Sequence, residues 1–365
     1  MNVIDAAQPR PVRDRRSEDA SAARDEAPLL AAARTGDESA FAELTERYRR
    51  QLHVHAYRML GSVDDADDIV QETYLRAWTS ISSFEGRSLF RTWIYRIATN
   101  LCLNVLARRP RRVMPPDVGP PTTDLHPELA PSVELPWLQP YPDRLLEPAA
   151  PVEERPDVLA VSRETIELAY LAAIQHLPPR QRAVLILRDA LAWSAKETAQ
   201  LLETSVAAVN SALQRARATM RDRLPQHAAS GAGRPGPSDE EQAVLRRYIE
   251  ASERADAQAF VALLRDDVRQ TMPPLPVWWD GKEAVAALNV RFFEDESIGP
   301  IRALAVAANR QPAAAFYLRE PGDTAFRLIA IDVLRVEDGG IAEIDTFDAA
   351  RCPGFDLPAT LPGGA

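Results

Sequence analysis

Between Phe84 and Arg112 the chain reads FEGRSLFRTWIYRIATNLCLNVLARRPRR. From Arg87 onward it holds seven arginines (Arg87, Arg91, Arg96, Arg108, Arg109, Arg111, Arg112) and no Asp or Glu, in a chain of formal net charge -10. Phe90, Trp93 and Tyr95 stand among those charges, with Ser88, Thr92, Thr99 and Asn100. Guanidinium groups can hold phosphates while aromatic faces stack on unpaired bases, the pairing used to bind single-stranded nucleic acid. The plainer alternative is an amphipathic helix with solvated arginines and core aromatics. Residue types alone leave both open.

A second chemistry-bearing stretch runs from Ser205 to Arg221. Asn210, Gln214, Arg217 and Arg221, with Ser211 and Arg215 beside them, fall on one side of a helical pattern, and Val206, Val209, Leu213, Ala216 and Met220 on the other. Asn, Gln and Arg carry the donors and acceptors that match base edges in the major groove, and Arg also neutralises phosphate. A short helix Ala195–Leu202, capped by Ser194, precedes it across the turn Glu203-Thr204, which predicts a helix-turn-helix. Glu203 stands where a left-handed turn would favour glycine, at a cost of about 1 kcal/mol.

A third stretch, Asp64, Asp65, Asp67, Asp68 and Glu72, clusters acids at the start of a predicted helix reaching Trp78, where negative charge is favoured or a basic partner could dock. Catalytic and metal chemistry find little support. Cys102 and Cys352 lie far apart, and the five histidines are scattered, His53 and His55 reading as packing or surface residues. Neither a disulfide framework nor a zinc site is expected, and no cofactor is. Apolar runs fall short of the roughly 18 residues of a membrane span and no signal peptide opens the chain, so a cytoplasmic location is the expectation.

The charge is unevenly divided. Residues 27–112 carry 13 basic and 10 acidic groups, 113–158 carry 2 and 9, 159–227 carry 9 and 6, and 238–350 carry 12 and 21. Two mildly basic blocks thus alternate with an acidic linker and an acidic C-terminal domain, which puts nucleic-acid contact in the basic blocks.

The elements that must position these residues follow in order. Residues 1–26 are expected to be a disordered leader. Residues 27–112 form helices, with Asp37 as a cap and Gly61 as a stop. Residues 113–158 hold 12 prolines and should be extended rather than packed. Within them PWLQPYPDRLL (136–146) reads either as a docking segment or as packing on its own domain. Residues 159–227 return to helix, 228–237 form a second linker, 238–350 read as helices followed by strands, and 351–365 as a tail.

In this order the motifs resemble a known family. GSVDDADDIVQETYLRAW, then FEGRSLFRTWIYRIATN, then LPPRQRAVLILRD with a helix-turn-helix, are similar to the extracytoplasmic-function group of bacterial RNA polymerase sigma factors. The resemblance covers about residues 27–227 and implies region 2 at 27–112 and region 4 at 159–227, two all-α domains joined by a proline-rich linker. It implies core RNA polymerase and promoter DNA as partners. Asp64, Asp67, Asp68, Gln71 and Glu72 would meet the β′ clamp helices, and LPPRQR would rest on the β flap. Phe84, Arg87, Ser88, Arg91, Thr92, Trp93, Tyr95, Arg96 and Asn100 would melt and hold the minus-ten element. Ser205, Asn210, Ser211, Gln214, Arg215, Arg217 and Arg221 would read the minus-thirty-five element as duplex. No catalytic residue is implied.

Residues 238–350 resemble the SnoaL-like α+β cone of polyketide cyclases and ketosteroid isomerases. That resemblance implies a pocket for a small apolar ligand, with Trp278, Trp279, Phe293, Tyr317 and Asp332 as wall residues and Asp345 as a further polar member. Asp332 is expected on one apolar face with Phe326, Leu328, Ala330, Leu334 and Val336. A domain of net charge -9 tethered to two blocks of +3 suggests regulation in cis. Two other readings are a freestanding ligand-responsive helix-turn-helix regulator and an isomerase or cyclase with a DNA-binding appendage.

Overall fold

The computed structural model describes residues 15–86, 88–125, 134–146, 165–224, 236–295 and 297–363, and the side chains from Asp25 onward. The chain is helical from Arg15: α1 (Arg15–Arg34) begins inside the stretch expected to be an unstructured leader, and residues 1–14 lie outside the described part. Leu29, Leu30 and Ala33 of α1 pack on the core, and the Tyr48 hydroxyl donates to Glu26. That burial offsets the low helix propensity of Pro28 within α1.

Asp37 accepts the backbone N–H groups of Ser39 and Ala40 and so caps α2 (Glu38–Glu46). Then α3 (Arg49–Leu60) ends on Gly61 in the left-handed conformation, φ 70°. Ser62 caps α4 (Val63–Ser80), and α5 (Phe90–Leu106) crosses both α3 and α4. The second helical unit comprises α6 (Leu168–Gln175), α7 (Pro179–Leu185), one π-helical turn (Ile186–Ala190), α8 (Ala195–Leu201) and α9 (Val206–Arg223).

The third unit opens with α10 (Asp239–Glu253) and α11 (Ala257–Val261), followed by β1 (Leu264–Thr271), β2 (Trp278–Asp280) and α12 (Lys282–Glu294). Strands β3 (Ile301–Ala308), β4 (Gln311–Leu318), β5 (Ala325–Glu337) and β6 (Gly340–Asp348) follow. The sheet order is β2-β1-β6-β5-β4-β3. It is mixed rather than wholly antiparallel, because β1 lies parallel to β6. The expected tail contributes β7 (Thr360–Pro362), paired with Ala325–Arg327 of β5.

The sheet faces two cores. Ala314, Phe316, Leu334 and Ile344 meet the domain's own helices. Ala313, Ala315, Tyr317, Ile331, Val333 and Phe347 belong instead to a core continuous with α1–α9. Phe326 and Leu328 fall on this second face, not with Ala330 and Leu334, because Ile329 bulges between the pairs Phe316–Ala330 and Tyr317–Leu328. One inserted residue reverses the side every later residue faces.

The described parts of the proline-rich linker are packed, contrary to an extended spacer. Met114, Trp137, Leu138, Tyr141 and Leu146 are buried. Prolines 136, 140 and 142 lack N–H groups, and neighbouring backbone groups are bonded: Leu138 N–H donates to Val113 O, Val113 N–H donates to Pro136 O, and Gln139 N–H donates to Gly61 O at the end of α3. Linker residues 126–133, 147–164 and 225–235 lie outside the described residues. Among the described residues no helix is long and apolar enough to cross a membrane.

Candidate polymerase and nucleic-acid interfaces

The acids of α4 project from its first three turns, opposite Val63, Ala66, Ile69 and Val70 in the core. Asp64, Asp67, Asp68 and Gln71 are exposed, while Asp65 and Glu72 are half-buried. Several are engaged within the chain. Asp64 accepts from Gln139 Nε2 (2.9 Å), and Asp65 from Arg109 (2.8 Å) and Arg112 (2.5 Å). Asp67 lies 3.4 Å from His53 Nε2, and Glu72 2.6 Å from Arg76. Burial lowers the His53 pKa, so its ring is held toward the neutral form.

The residues expected to hold a melted strand divide into two groups. Ser88, Arg96 and Asn100 are exposed and Arg91 and Thr92 half-buried; Thr92, Arg96 and Asn100, four residues apart, share one side of α5, and Arg87 lies outside the described residues. Phe84, Trp93 and Tyr95 are buried and present no free face to a base in this arrangement. Phe84 packs on Trp93 with ring centroids 5.1 Å apart. Tyr95, 0% exposed, sits between His55 and Trp193, each at 5.3 Å. In this arrangement these aromatics belong to the core, because α5 packs on α3 and also on α7 and α8 of the second helical unit.

Trp193, 2% exposed, comes from the loop before α8, and the Arg91 guanidinium lies 5.4 Å from its ring. Beside it, Arg96 faces Glu203 at 4.0 Å. A cavity of about 420 Å3 opens among Ser83, Phe84, Ser88, Thr92, Trp93 and Arg96, with Gln200 and Leu201 of α8 closing one side. That volume falls in the roughly 300–1,000 Å3 range of small-ligand sites. Arg182, expected at a polymerase surface, is buried; it donates to Met59 O and to Gln175 Oε1, and burial lowers its pKa to about 10.

The helix-turn-helix is built from local signals. Ser194 and Glu197 form a capping box, and Ser205 caps α9 by accepting from Ala208 N–H at 3.1 Å. Glu203 takes φ 51°, the left-handed turn residue foreseen from its position. Val209, Leu213, Ala216 and Met220 are buried, while Val206, expected in that stripe, is 43% exposed because it opens the helix before the crossing with α8. Ser205, Asn210, Ser211, Gln214, Arg215, Arg217 and Arg221 are all exposed. Arg217 is held by Asp189 through two bonds of 2.9 and 2.7 Å, which restrains it relative to its neighbours.

The five pocket residues of the C-terminal domain do not converge. The indole N–H groups of Trp278 and Trp279 donate to Gly119 O and Asp124 O of the linker, which covers them. Tyr317 faces the helical units, opposite Phe316 and Asp332. Asp345 also lies on the face opposite Asp332, since the register pairs Asp332 with Thr346 and Val333 with Asp345. Phe293 packs on Phe260 at 5.4 Å. Asp332, 6% exposed, accepts from the Tyr248 hydroxyl at 2.6 Å, and burial raises its pKa to about 6. Residues that bind the units together, notably Gln139, Tyr141, Trp193 and Asn309, carried no sequence signal beyond WLQPYPDRLL and the turn-forming Asn-Arg.

Residues 44–112 match the family model for Sigma-70 region 2, 167–220 that for Sigma-70 region 4, and 245–344 that for a SnoaL-like domain. The chain is 43% identical over 329 residues to the ECF RNA polymerase sigma factor SigG of Mycobacterium tuberculosis, covering 90% of this chain and 86% of that protein. Against the ECF RNA polymerase sigma factor SigW of Bacillus subtilis it is 31% identical over 190 residues, 52% of this chain and 91% of that one. The crystal structure of the Mycobacterium tuberculosis extracytoplasmic function sigma factor SigJ shares the fold, with TM-score 0.54 and 20% identity over 86% of this chain and 99% of that chain.

Proposed function

Because the chain belongs to the extracytoplasmic-function RNA polymerase sigma factors, and so recognises promoters and initiates transcription with core polymerase, we propose how its surfaces divide that work. Helix α4 docks on the β′ clamp helices through Asp64, Asp67, Asp68, Gln71 and Glu72. Pro178 and Arg180, exposed ahead of buried Arg182, meet the β flap. Ser88, Thr92, Arg96 and Asn100 hold the melted minus-ten strand, and the region 2 side of the cavity, Ser83, Phe84, Ser88, Thr92 and Trp93, takes a base out of the stack once α8 has left it. Unstacking costs a few kcal/mol, which that cavity and Arg96 offset. Asn210, Ser211, Gln214, Arg215 and Arg221 read the minus-thirty-five duplex, while Arg217, held by Asp189, contacts phosphate. The working units are 27–112, 159–227 and 238–350, which contain the three matched segments 44–112, 167–220 and 245–344.

The packed arrangement is a resting state. Its support is the seating of α8 and Trp193 on α5: α9 touches α8 and α8 touches α5. The two DNA readers therefore stand about two helix diameters apart, roughly 20 Å. Two promoter elements about 25 base pairs apart span about 85 Å of duplex at ~3.4 Å per pair. Region 4 must leave region 2 before both are read. The SnoaL-like domain, packed against both regions and the linker, modulates that separation in cis, and an apolar ligand in its cone would do so indirectly.

Run-off transcription with core polymerase, comparing the full chain with one ending at residue 230, tests this. The reading expects promoter-dependent output to change when the domain is removed. Identical output across a promoter library would count against it.

A further inference from the structure

The turn joining β3 to β4 is where every unit of the chain meets. Asn309 and Arg310 have φ of 57° and 60°, the paired left-handed residues of a tight hairpin. A hairpin tip ordinarily stands in solvent, yet Asn309 is 0% exposed. Its Nδ2 donates to the Tyr57 hydroxyl of α3 (3.0 Å) and to Ile166 O just before α6 (2.7 Å). Its Oδ1 accepts Tyr141 N–H of the linker (2.7 Å), and its own N–H donates to Tyr141 O (2.8 Å). Next to it, Arg310 N–H donates to Asp143 Oδ1 (2.8 Å), and Gln311 Oε1 accepts Leu168 N–H, the first residue of α6 (2.9 Å).

The linker segment 136–146 lies as a strap between this tip and region 2. Tyr57 O–H donates to Gln139 O (2.7 Å), Gln139 Oε1 accepts Val63 N–H (2.8 Å) at the start of α4, and Gln139 Nε2 holds Asp64 (2.9 Å). Asp64 is one of the acids assigned to polymerase docking. We infer that the β3–β4 tip is a latch: through Asn309 it pins the strap over the start of α4 and holds the first turn of α6 beside it. Apolar contacts of Leu138 and Tyr141 alone would hold the strap by a slippery surface. The polar groups decide the matter, because withdrawing the tip alone would strand Tyr141 N–H and O and Ile166 O without partners in a buried place. Tip, strap and α6 therefore release together. The latch rests on the reading that the packed arrangement is a resting state.

The test is hydrogen exchange on the full chain carrying Asn309→Gly, which keeps the positive φ accessible and deletes the three side-chain bonds. Peptides across 136–146 and 165–175 should exchange at least about tenfold faster, with the β5–β6 core as protected as in wild type. Gln311→Ala, a milder change, should loosen 165–175 and leave 136–146 protected. Unchanged protection of the strap in Asn309→Gly, or uniform loosening of the whole sheet, overturns the latch. Run-off transcription by the same variant separates the two ideas: a loosened strap with unaltered transcription upholds the latch and overturns the resting-state reading.

Discussion

Gly61 sits where region 2, the strap and region 4 touch, and Gly61→Ala should pry them apart. A Cβ there would stand 2.7 Å from Leu138 Cδ1, 3.3 Å from Arg112 Cγ and 3.3 Å from Gln175 Nε2. Two costs follow. The left-handed φ of 70° charges an alanine about 1 kcal/mol whether or not the strap is seated. The contact with Leu138, itself 1% exposed, exists only in the packed state, and overpacking of this kind costs about 1–3 kcal/mol. Only the second part shifts the equilibrium toward separation, by roughly 5- to 150-fold. A multidomain chain does not unfold in one step, so the assay is local hydrogen exchange, comparing strap 136–146 with the α4 core. The partner substitution Leu138→Ala removes the clashing atom. In that background Gly61→Ala should retain only its backbone cost, a coupling of about 1–3 kcal/mol in the double-mutant cycle. Equal cost in both backgrounds, or a strap as protected as in wild type, would refute the reasoning.

Three further outcomes are expected. Asp332→Asn should stabilise the C-terminal domain at pH 8 and not at pH 4: the folded pKa is raised from 3.8 to about 6 by burial, so protonation favours the fold and stability falls as pH climbs through 6. The gain, on the order of 3 kcal/mol less any weakening of the Tyr248 bond, is read as a thermal shift at the two pH values. Gln214→Ala should cost about 1–3 kcal/mol of minus-thirty-five discrimination in promoter binding by holoenzyme, whereas Arg217→Ala should weaken all sequences alike and flatten the salt dependence. Arg96→Ala should slow promoter melting, followed by permanganate reactivity, while leaving duplex recognition at the upstream element unchanged.

Much of the helical architecture was legible because it rests on local causes. Asp37, Gly61, Ser194 and Ser205 end or begin helices by bonds to their own neighbours. What escaped was set between units. Trp93 and Tyr95 sit among polar residues in a pattern that fits either a core or a base-stacking face, and Trp193, about a hundred positions away, covers Tyr95. The proline-rich linker was expected to be extended, and within it 136–146 read either as docking or as local packing; what its sequence does not show is that its partners would be Gly61, Tyr57 and Asn309. Asp332 was expected with Phe326 and Leu328, but a single bulged residue, Ile329, separates their faces. The parallel β1–β6 pairing joins segments some seventy residues apart, beyond the reach of period or turn signals.

The separation of the two DNA readers can be measured directly. Cys102 and Cys352 are both buried, so dyes can be directed to Asn104→Cys on α5 and Asp222→Cys on α9, both exposed and outside the assigned contacts. Energy transfer in the free chain should report roughly 20–30 Å, two to three helix diameters, and should fall to a distance above about 60 Å when core polymerase and promoter DNA are added. A short distance that persists in a transcribing complex would contradict the account, as would a long distance in the free chain.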